Sequence, residues 1–552
     1  MRSKALALLA CCLFLSATLS GCATTQLPLA EPGPLPDSRE ATRYQVKIPT
    51  HDGQMLAATV YQPALAAGDS APLIIATHGY GGFRAKRPFS IYGKTMITGQ
   101  AAIAAWRAGY WVVFYDQRGF GGSDDRVHMM ARDKEVRDVS SVIDWSLAHL
   151  PGISTLPDGA PAIGMIGESY GAGAQILASF HEPRLQALVP IAGWHDLADA
   201  MAPNSHVRTS WGGALATVPP VTSGFSTQTL SRPWRSMFSG TLSQDVRRAM
   251  NARSPATWCG NGHEPQADVL LVQGFRDSLM TMDQALDNRE CFLDAGRDAR
   301  LLAIQGGHIL PWPVQRWSGK PLFNTDRHVH CNGEAQKLED VILSWWDEKL
   351  RGEEGDVPPL CIALDYQDSI TPENFPESVQ RFPVSREQVH IPIAGLFEGF
   401  MVPFDTGYDL FRGLWGNADR RFLKPSGGLG RPRFIPLYVV ERDDKLLLGT
   451  PEINLMLGGT ASVRSTRVFV GVGVQHANQR RIRVASEQLT PLPKKGRYQQ
   501  SLAPVATPLQ AGDRVGLIVY GYNWQYAFNP SFWWSRARFN GEVALPLIRD
   551  DR

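Results

Sequence analysis

The run Ile163-Gly164-Met165-Ile166-Gly167-Glu168-Ser169-Tyr170-Gly171-Ala172-Gly173-Ala174-Gln175-Ile176-Leu177-Ala178-Ser179-Phe180 decides how this chain is read. Ala162 to Ile166 is a short apolar strand, and Ala172 to Phe180 has the small and apolar residues of a buried helix. Between them stands Gly167-Glu168-Ser169-Tyr170-Gly171, the strand, sharp turn and helix that a nucleophile elbow requires. The glycines are a steric necessity. They let a strained turn form while Ser169 Oγ points up, and the Tyr170 backbone N–H then faces any anion that develops beside it.

Working outward, Leu73–Thr77, Trp111–Tyr115, Leu185–Ile191, Val269–Gln273 and Leu301–Gln305 are further short apolar runs, with helical patterns such as 100–108 between them. These are buried parallel strands with helices on both faces, so residues 41–350 form an α/β unit. Tyr44 to Tyr61 adds two alternating runs around Asp52-Gly53, a hairpin. Residues 196–264, rich in Trp, Ser, Thr, Pro and Gly, read as a cap inserted over the carboxyl edge of the sheet. After a helix over 335–351 the pattern turns to short alternating strands such as Ile453–Leu457, Val468–Val474 and Arg514–Tyr520, which predicts a separate β-sandwich over 357–552.

A serine hydroxyl is a poor nucleophile until a positioned imidazole takes its proton, so a His and an orienting carboxylate are required later in the chain. Asp277 follows one strand in Gln273-Gly274-Phe275-Arg276-Asp277, and His308 follows the next in Gly306-Gly307-His308. The order Ser, Asp, His is that of α/β-hydrolases. Asp283 and Asp287 are competing acids, but they fall in a helical stretch beyond the strand edge. His78-Gly79-Tyr80-Gly81-Gly82 lies where a second oxyanion donor belongs: the Gly79 or Tyr80 N–H, or the Tyr80 hydroxyl. Asp116 to Ser123 reads as a tight loop fixed by Arg118 pairing rather than a phosphate cradle. Trp194, Trp211, Trp234 and Leu279 are candidates to line an acyl pocket.

The first residues place Arg2 and Lys4 before an apolar run from Ala5 to Leu15 and then Leu19-Ser20-Gly21-Cys22. That is a secretory signal, and the last four residues resemble a bacterial lipobox, which implies cleavage before Cys22 and lipidation of its thiol. The expected product is an exported lipoprotein of the bacterial cell envelope, held at a membrane by Cys22, with residues 22–40 as a Pro-rich tether. Of the seven cysteines, Cys259, Cys291, Cys331 and Cys361 remain available, with three possible pairings. His328-Val329-His330-Cys331 lacks a second ligand pair, so no metal and no other cofactor is expected. Lys plus Arg total 55 against 53 Asp plus Glu, which leaves no field of one sign to attract nucleic acid. With 43% hydrophobic and 20% charged residues, the chain is globular.

The chain resembles the X-Pro dipeptidyl-peptidase and cocaine-esterase-like family of serine hydrolases. The resemblance rests on His51-Asp52-Gly53, Val60-Tyr61-Gln62-Pro63, Gly109-Tyr110, Asp116 to Ser123, Asp144-Trp145 and the Gly-Glu-Ser169-Tyr170-Gly elbow. It continues through Trp345 to Gly352, Leu509 to Arg514 and Gly541 to Pro546, which look like the helix closing the hydrolase domain and like a carboxy-terminal jelly roll. It implies Ser169 as nucleophile, Asp277 and His308 as its partners, and a Tyr80 hydroxyl donor beside the Tyr170 N–H. Two departures stand out: Tyr80 is not preceded by proline, and Gly306-Gly307 replaces the Trp or Pro often found before the histidine. The acidic cluster that α-amino-acid ester hydrolases use to hold a substrate amine does not follow Asp277, where Arg276 is the neighbour instead.

The leading expectation is cleavage of a small ester or amide, or of a short peptide, through an acyl-enzyme on Ser169. An X-Pro dipeptidyl peptidase is the second reading. A catalytically inert surface lipoprotein, binding carbohydrate or a partner through the β-sandwich, is the third.

Overall fold

β3 (Leu73–Thr77) and β4 (Trp111–Tyr115) are buried at every position, because helices cover both faces of the sheet they enter. Alternate side chains therefore feed two cores. Leu73, Ile75, Trp111, Val113 and Tyr115 point to one, while Ile74, Ala76, Val112 and Phe114 point to the other. This computed structural model describes residues 40–550 apart from 216–239, 309–327, 391–432, 460–467, 527–535 and a few shorter gaps. The signal, Cys22 and all of the expected tether except Glu40 lie outside the described residues, as does Trp234.

The remaining strands of the sheet are β1 (Thr42–Pro49), β2 (Met55–Gln62), β5 (Ile163–Glu168), β6 (Leu185–Ile191), β7 (Asp268–Gly274) and β8 (Ala299–Ile304). They run in the order β1-β2-β4-β3-β5-β6-β7-β8, parallel from β4 onward, with β1 and β2 as the antiparallel hairpin expected around Gly53. The helices Ile97–Arg107 and Leu338–Arg351 cover one face, bringing Trp345 and Trp346 into its core. The helices Arg137–His149, Tyr170–Ser179 and Met282–Asp294 cover the other. This is an α/β-hydrolase sheet. Arg118 is fully buried and donates to Asp52, Asp138 and Asp125, so the 116–123 loop is fixed by ion pairs, as read from sequence.

The boundary near residue 357 needs correcting. Leu360–Ala363, expected in the β-sandwich, instead extends the hydrolase sheet as a parallel neighbour of β8, and Ser369–Ile370 adds an antiparallel edge. Leu360, Cys361 and Ile362 are apolar enough to be buried on both faces, which suits a parallel strand. Strands that belong to the carboxy-terminal sheets start at Gln380.

Those sheets enclose a second core that includes Leu455, Val470, Leu517, Phe539 and Val543. The strand Lys445–Gly449 joins the two units: Leu447 enters the sandwich core, while Leu446 and Leu448, on its opposite face, enter the hydrolase core. Disulfides pair Cys259 with Cys291 and Cys331 with Cys361. Among the described residues no helix is long and apolar enough to cross a membrane, and no group of three or more His, Cys, Asp or Glu is arranged to hold a metal.

Candidate active site

β5 ends in the elbow. Ser169 takes φ 50° and ψ −106°, a strained conformation for a residue with a side chain, and its N–H donates to Ile191 O on β6 at 2.8 Å. The turn is tight enough that a Cβ on Gly167 would lie 2.7 Å from the Gly171 carbonyl carbon. Buried Gln175 ties the following helix to the sheet, donating to Gly167 O and Val189 O and accepting from Val189 N–H. Strain in the turn is thereby held by the strands on either side.

Asp277 lies just beyond β7, and its carboxylate is fully buried. One oxygen accepts the Leu279 and Met280 N–H groups at 2.9 and 2.8 Å, and the other accepts Gln273 Nε2 at 3.1 Å. That second oxygen also faces His308 Nδ1 at 2.8 Å, and His308 Nε2 stands 3.0 Å from Ser169 Oγ. A carboxylate at Nδ1 demands the proton there, which leaves the Nε2 lone pair for the serine hydroxyl. Asp283 lies in the helix Met282–Asp294, as does Asp287, and neither hydrogen-bonds His308 in the structure.

The 78–82 loop presses against the serine: a Cβ on Gly79 would sit 3.6 Å from Ser169 Cβ. His78 is fully buried, and burial lowers its pKa and keeps it neutral. Its Nε2 accepts the Gln117 N–H, so Nδ1 carries the proton and donates to Gly79 O at 2.8 Å. The Gly82 N–H donates to that same oxygen at 2.9 Å. With the Gly79 carbonyl drawn back, the N–H of the same trans peptide, that of Tyr80, points the opposite way. Neither this N–H nor that of Tyr170 has a partner among the described residues.

The Tyr80 ring packs edge-on against Phe120 and Tyr170, and burial with the nearby Glu135 charge pushes its phenol up to about 12. Sequence reasoning missed Glu135. It is buried beneath the elbow, accepts the Tyr170 hydroxyl at 3.0 Å and the Ala131 N–H at 3.0 Å, and its carboxyl is raised by burial. Nothing in the local pattern around Glu135 marks it, since its partners converge only in three dimensions.

The pocket residues divide. Trp211 makes an edge-to-face contact with His308, 5.2 Å between ring centres, and donates to Ser278 Oγ. Trp194 is not a pocket wall: it fills the space over Gly173, where a Cβ would meet its ring, and donates to Arg253 O. Leu279 is likewise core, and its contribution is the backbone N–H given to Asp277. Both are large apolar groups next to a sheet edge, and burial there removes more surface from water than lining a cleft would. Beyond the Asp277 loop lies a cleft of about 1340 Å³ with Asp199, Asp283 and Asp287 in its lining and none of Ser169, Asp277 and His308.

The family model described as X-Pro dipeptidyl-peptidase (S15 family) matches residues 52–310, which contain all three members of the Ser–His–Asp chain. Residues 52–310 belong to that family. The protein is a serine hydrolase. Solved structures that share the fold over almost the whole chain, sandwich included, are about as distant from it as unrelated sequences. An aminopeptidase from a marine sediment Thaumarchaeota archaeon has 13% identity and a TM-score of 0.63, covering 95% of this chain and 99% of its own. An α-amino acid ester hydrolase has 13% identity and a TM-score of 0.61, covering 95% and 100%. A CocE/NonD family hydrolase from Staphylococcus aureus has 12% identity and a TM-score of 0.57, covering 94% and 100%. No curated protein matches the chain.

Proposed function

We propose that this X-Pro dipeptidyl-peptidase family member is an exported, lipid-anchored hydrolase that cleaves esters or amides through an acyl-enzyme on Ser169. The observation that carries the reading is the unbroken line from Ser169 Oγ through His308 to Asp277, at 3.0 and 2.8 Å. His308 Nε2 takes the hydroxyl proton as Oγ attacks the carbonyl carbon, and the imidazolium is stabilised by Asp277. The oxyanion is received by the Tyr170 and Tyr80 N–H groups, each such donor contributing about 10²–10³ in rate. His308 then gives its proton to the departing alcohol or amine. Water, deprotonated by the same nitrogen, attacks the acyl ester and releases Ser169 with its proton restored.

Export and anchoring are supported by Leu19-Ser20-Gly21-Cys22 and by the two disulfides, which suit an oxidising compartment. Replacing Cys22 by Ala should move the protein from the membrane to the soluble fraction of the cell envelope. Removal of X-Pro dipeptides is the second reading, and the family match over 52–310 favours it. It needs an anionic or carbonyl-lined place for the substrate ammonium within reach of Ser169.

The deciding assay compares p-nitrophenyl butyrate and Gly-Pro-p-nitroanilide as substrates for the chain lacking residues 1–22, with Ser169→Ala as the blank. Ester turnover alone supports the acyl hydrolase, and anilide turnover supports the peptidase. Turnover of either substrate that survives in Ser169→Ala overturns the assignment of the nucleophile.

A further inference from the structure

The turn that carries Asp277 has two backbone carbonyls, those of Phe275 and Asp277, that receive no hydrogen bond from the hydrolase unit among the described residues. Both are served by one side chain from the β-sandwich. Gln488 Nε2 donates to Asp277 O at 2.8 Å and to Phe275 O at 3.1 Å, across 211 and 213 residues of sequence. The two amide hydrogens are thereby used on two acceptors of the same turn.

Three further observations indicate that this contact is built rather than incidental. Gln488 is buried, and its own backbone oxygen lies where a Cβ on residue 471 would be 2.4 Å away, so the approach depends on Gly471. The two residues before it, Ser486 and Glu487, have φ of 52° and 55°, a left-handed pair that side chains disfavour and that persists only where surroundings enforce it. Glu487 in turn pairs with Arg276 at 3.5 Å, and Arg276 Nε donates to Gln305 O at 2.8 Å beside β8. Residues 486–488 thus form a strap laid across 274–278.

Resting on the reading of Asp277 as the triad acid, we infer that Gln488 is a positioning residue: the β-sandwich sets the acid that orients His308. The Leu279 and Met280 N–H groups donate to the carboxylate and hold it within its own turn, and the Arg276 N–H donates to Gly306 O, two residues before His308. Gln488 adds a restraint on the turn from the β-sandwich. If the turn drifts, the imidazolium loses its counter-charge, so acylation slows and the His308 pKa falls.

The test measures the rate at which a fluorophosphonate labels Ser169, between pH 5 and 9, in the chain lacking residues 1–22. This readout needs no knowledge of the substrate. Ser169→Ala is the blank, and an unlabelled Ser169 in the otherwise unaltered protein would sink the triad reading itself rather than this inference. Gln488→Met keeps volume but removes both donors, and Gln488→Glu keeps shape but turns a carboxylate on two carbonyl oxygens. Labelling should slow about tenfold in the first and further in the second, with the acid limb of the pH profile moved to lower pH. Circular dichroism establishes that both variants are folded. Folded variants that label at the unaltered rate with an unmoved acid limb would overturn the inference and leave Gln488 as interface packing. If Gln488→Met does not fold, Glu487→Gln, which weakens the strap from outside, should give the same direction of shift, and an unmoved profile there overturns it equally.

Discussion

The serine and the acid stand at the ends of two strands of one sheet, yet they are held by different means. The elbow is held largely from within: Gly167 and Gly171 in near contact, the Ser169 N–H on the adjacent strand, Gln175 one helical turn further on. The acid turn is held from outside. Trp211 reaches Ser278 Oγ from 67 residues away, Arg208 reaches Ser278 O from three residues before Trp211, and Gln488 reaches Asp277 O from the sandwich. A site assembled this way has one arm whose geometry is set by steric exclusion over five residues and another whose geometry depends on three regions docking correctly. The second arm is where a distant substitution can alter catalysis.

The contrast can be broken in several places. The largest effect is expected from Gly167→Ala, whose Cβ would meet the Gly171 backbone at 2.7 Å with strands on both sides preventing retreat. A loss of roughly 3 kcal/mol or more in denaturant unfolding is expected, and an unaffected midpoint would mean that the elbow can relax after all.

Next comes the Cys259–Cys291 bridge, which ties the helix Pro255–Gly260 to the helix that follows the acid turn across 32 residues. Its removal by the double Ala variant should cost about 3–4 kcal/mol in the loop-entropy model, read as a drop in the thermal midpoint. No drop would show that the helix Pro255–Gly260 is seated without it.

Arg208→Gln follows. The guanidinium is buried and donates to Ala200 O, Ser278 O and Gln525 Oε1, so it joins the helix Leu197–Met201, the acid turn and the sandwich. About 2–3 kcal/mol of stability and a reduced kcat/KM are expected, measured together. Lost stability with kcat/KM intact would detach Arg208 from the acid arm.

The smallest effect is one of pH on the elbow side. Burial depresses the pKa of His78 below its ordinary 6.5, so the unfolded chain binds a proton that the native protein refuses. Stability contributed by neutral His78 is therefore complete above pH 6.5 and is lost as pH falls toward the folded pKa, by at most ~1.4 kcal/mol per pH unit. Urea midpoints between pH 8 and 5 should decline less steeply in His78→Gln, and parallel declines would assign the slope to other groups.

Much of this architecture is legible in the residues themselves. The strands β3 to β8 announce themselves as short apolar runs, and the elbow by its glycines, because side-chain period and turn sterics act over a few neighbours. Leu360–Ala363 was harder: four apolar residues carry no sign of which sheet they join. Trp194 and Leu279 looked suited to a pocket because an aromatic or aliphatic side chain near a sheet edge has the same local signature whether it faces a cleft or a core. The Tyr80 loop left three possible donors open until the bond from His78 Nδ1 to Gly79 O gave the peptide a direction.

By itself, then, the sequence determined the hydrolase sheet and the elbow, which follow from local sterics and periodicity, and it singled out Ser169, Asp277 and His308 by their places after successive strands. Only the tertiary structure decided which cysteines pair and that Gln488 reaches the turn that carries Asp277. The physical reason is one of range. A hydrogen bond of 2.8 Å between residues 211 positions apart exists only after two cores have formed and docked, and neither residue's neighbours along the chain record it.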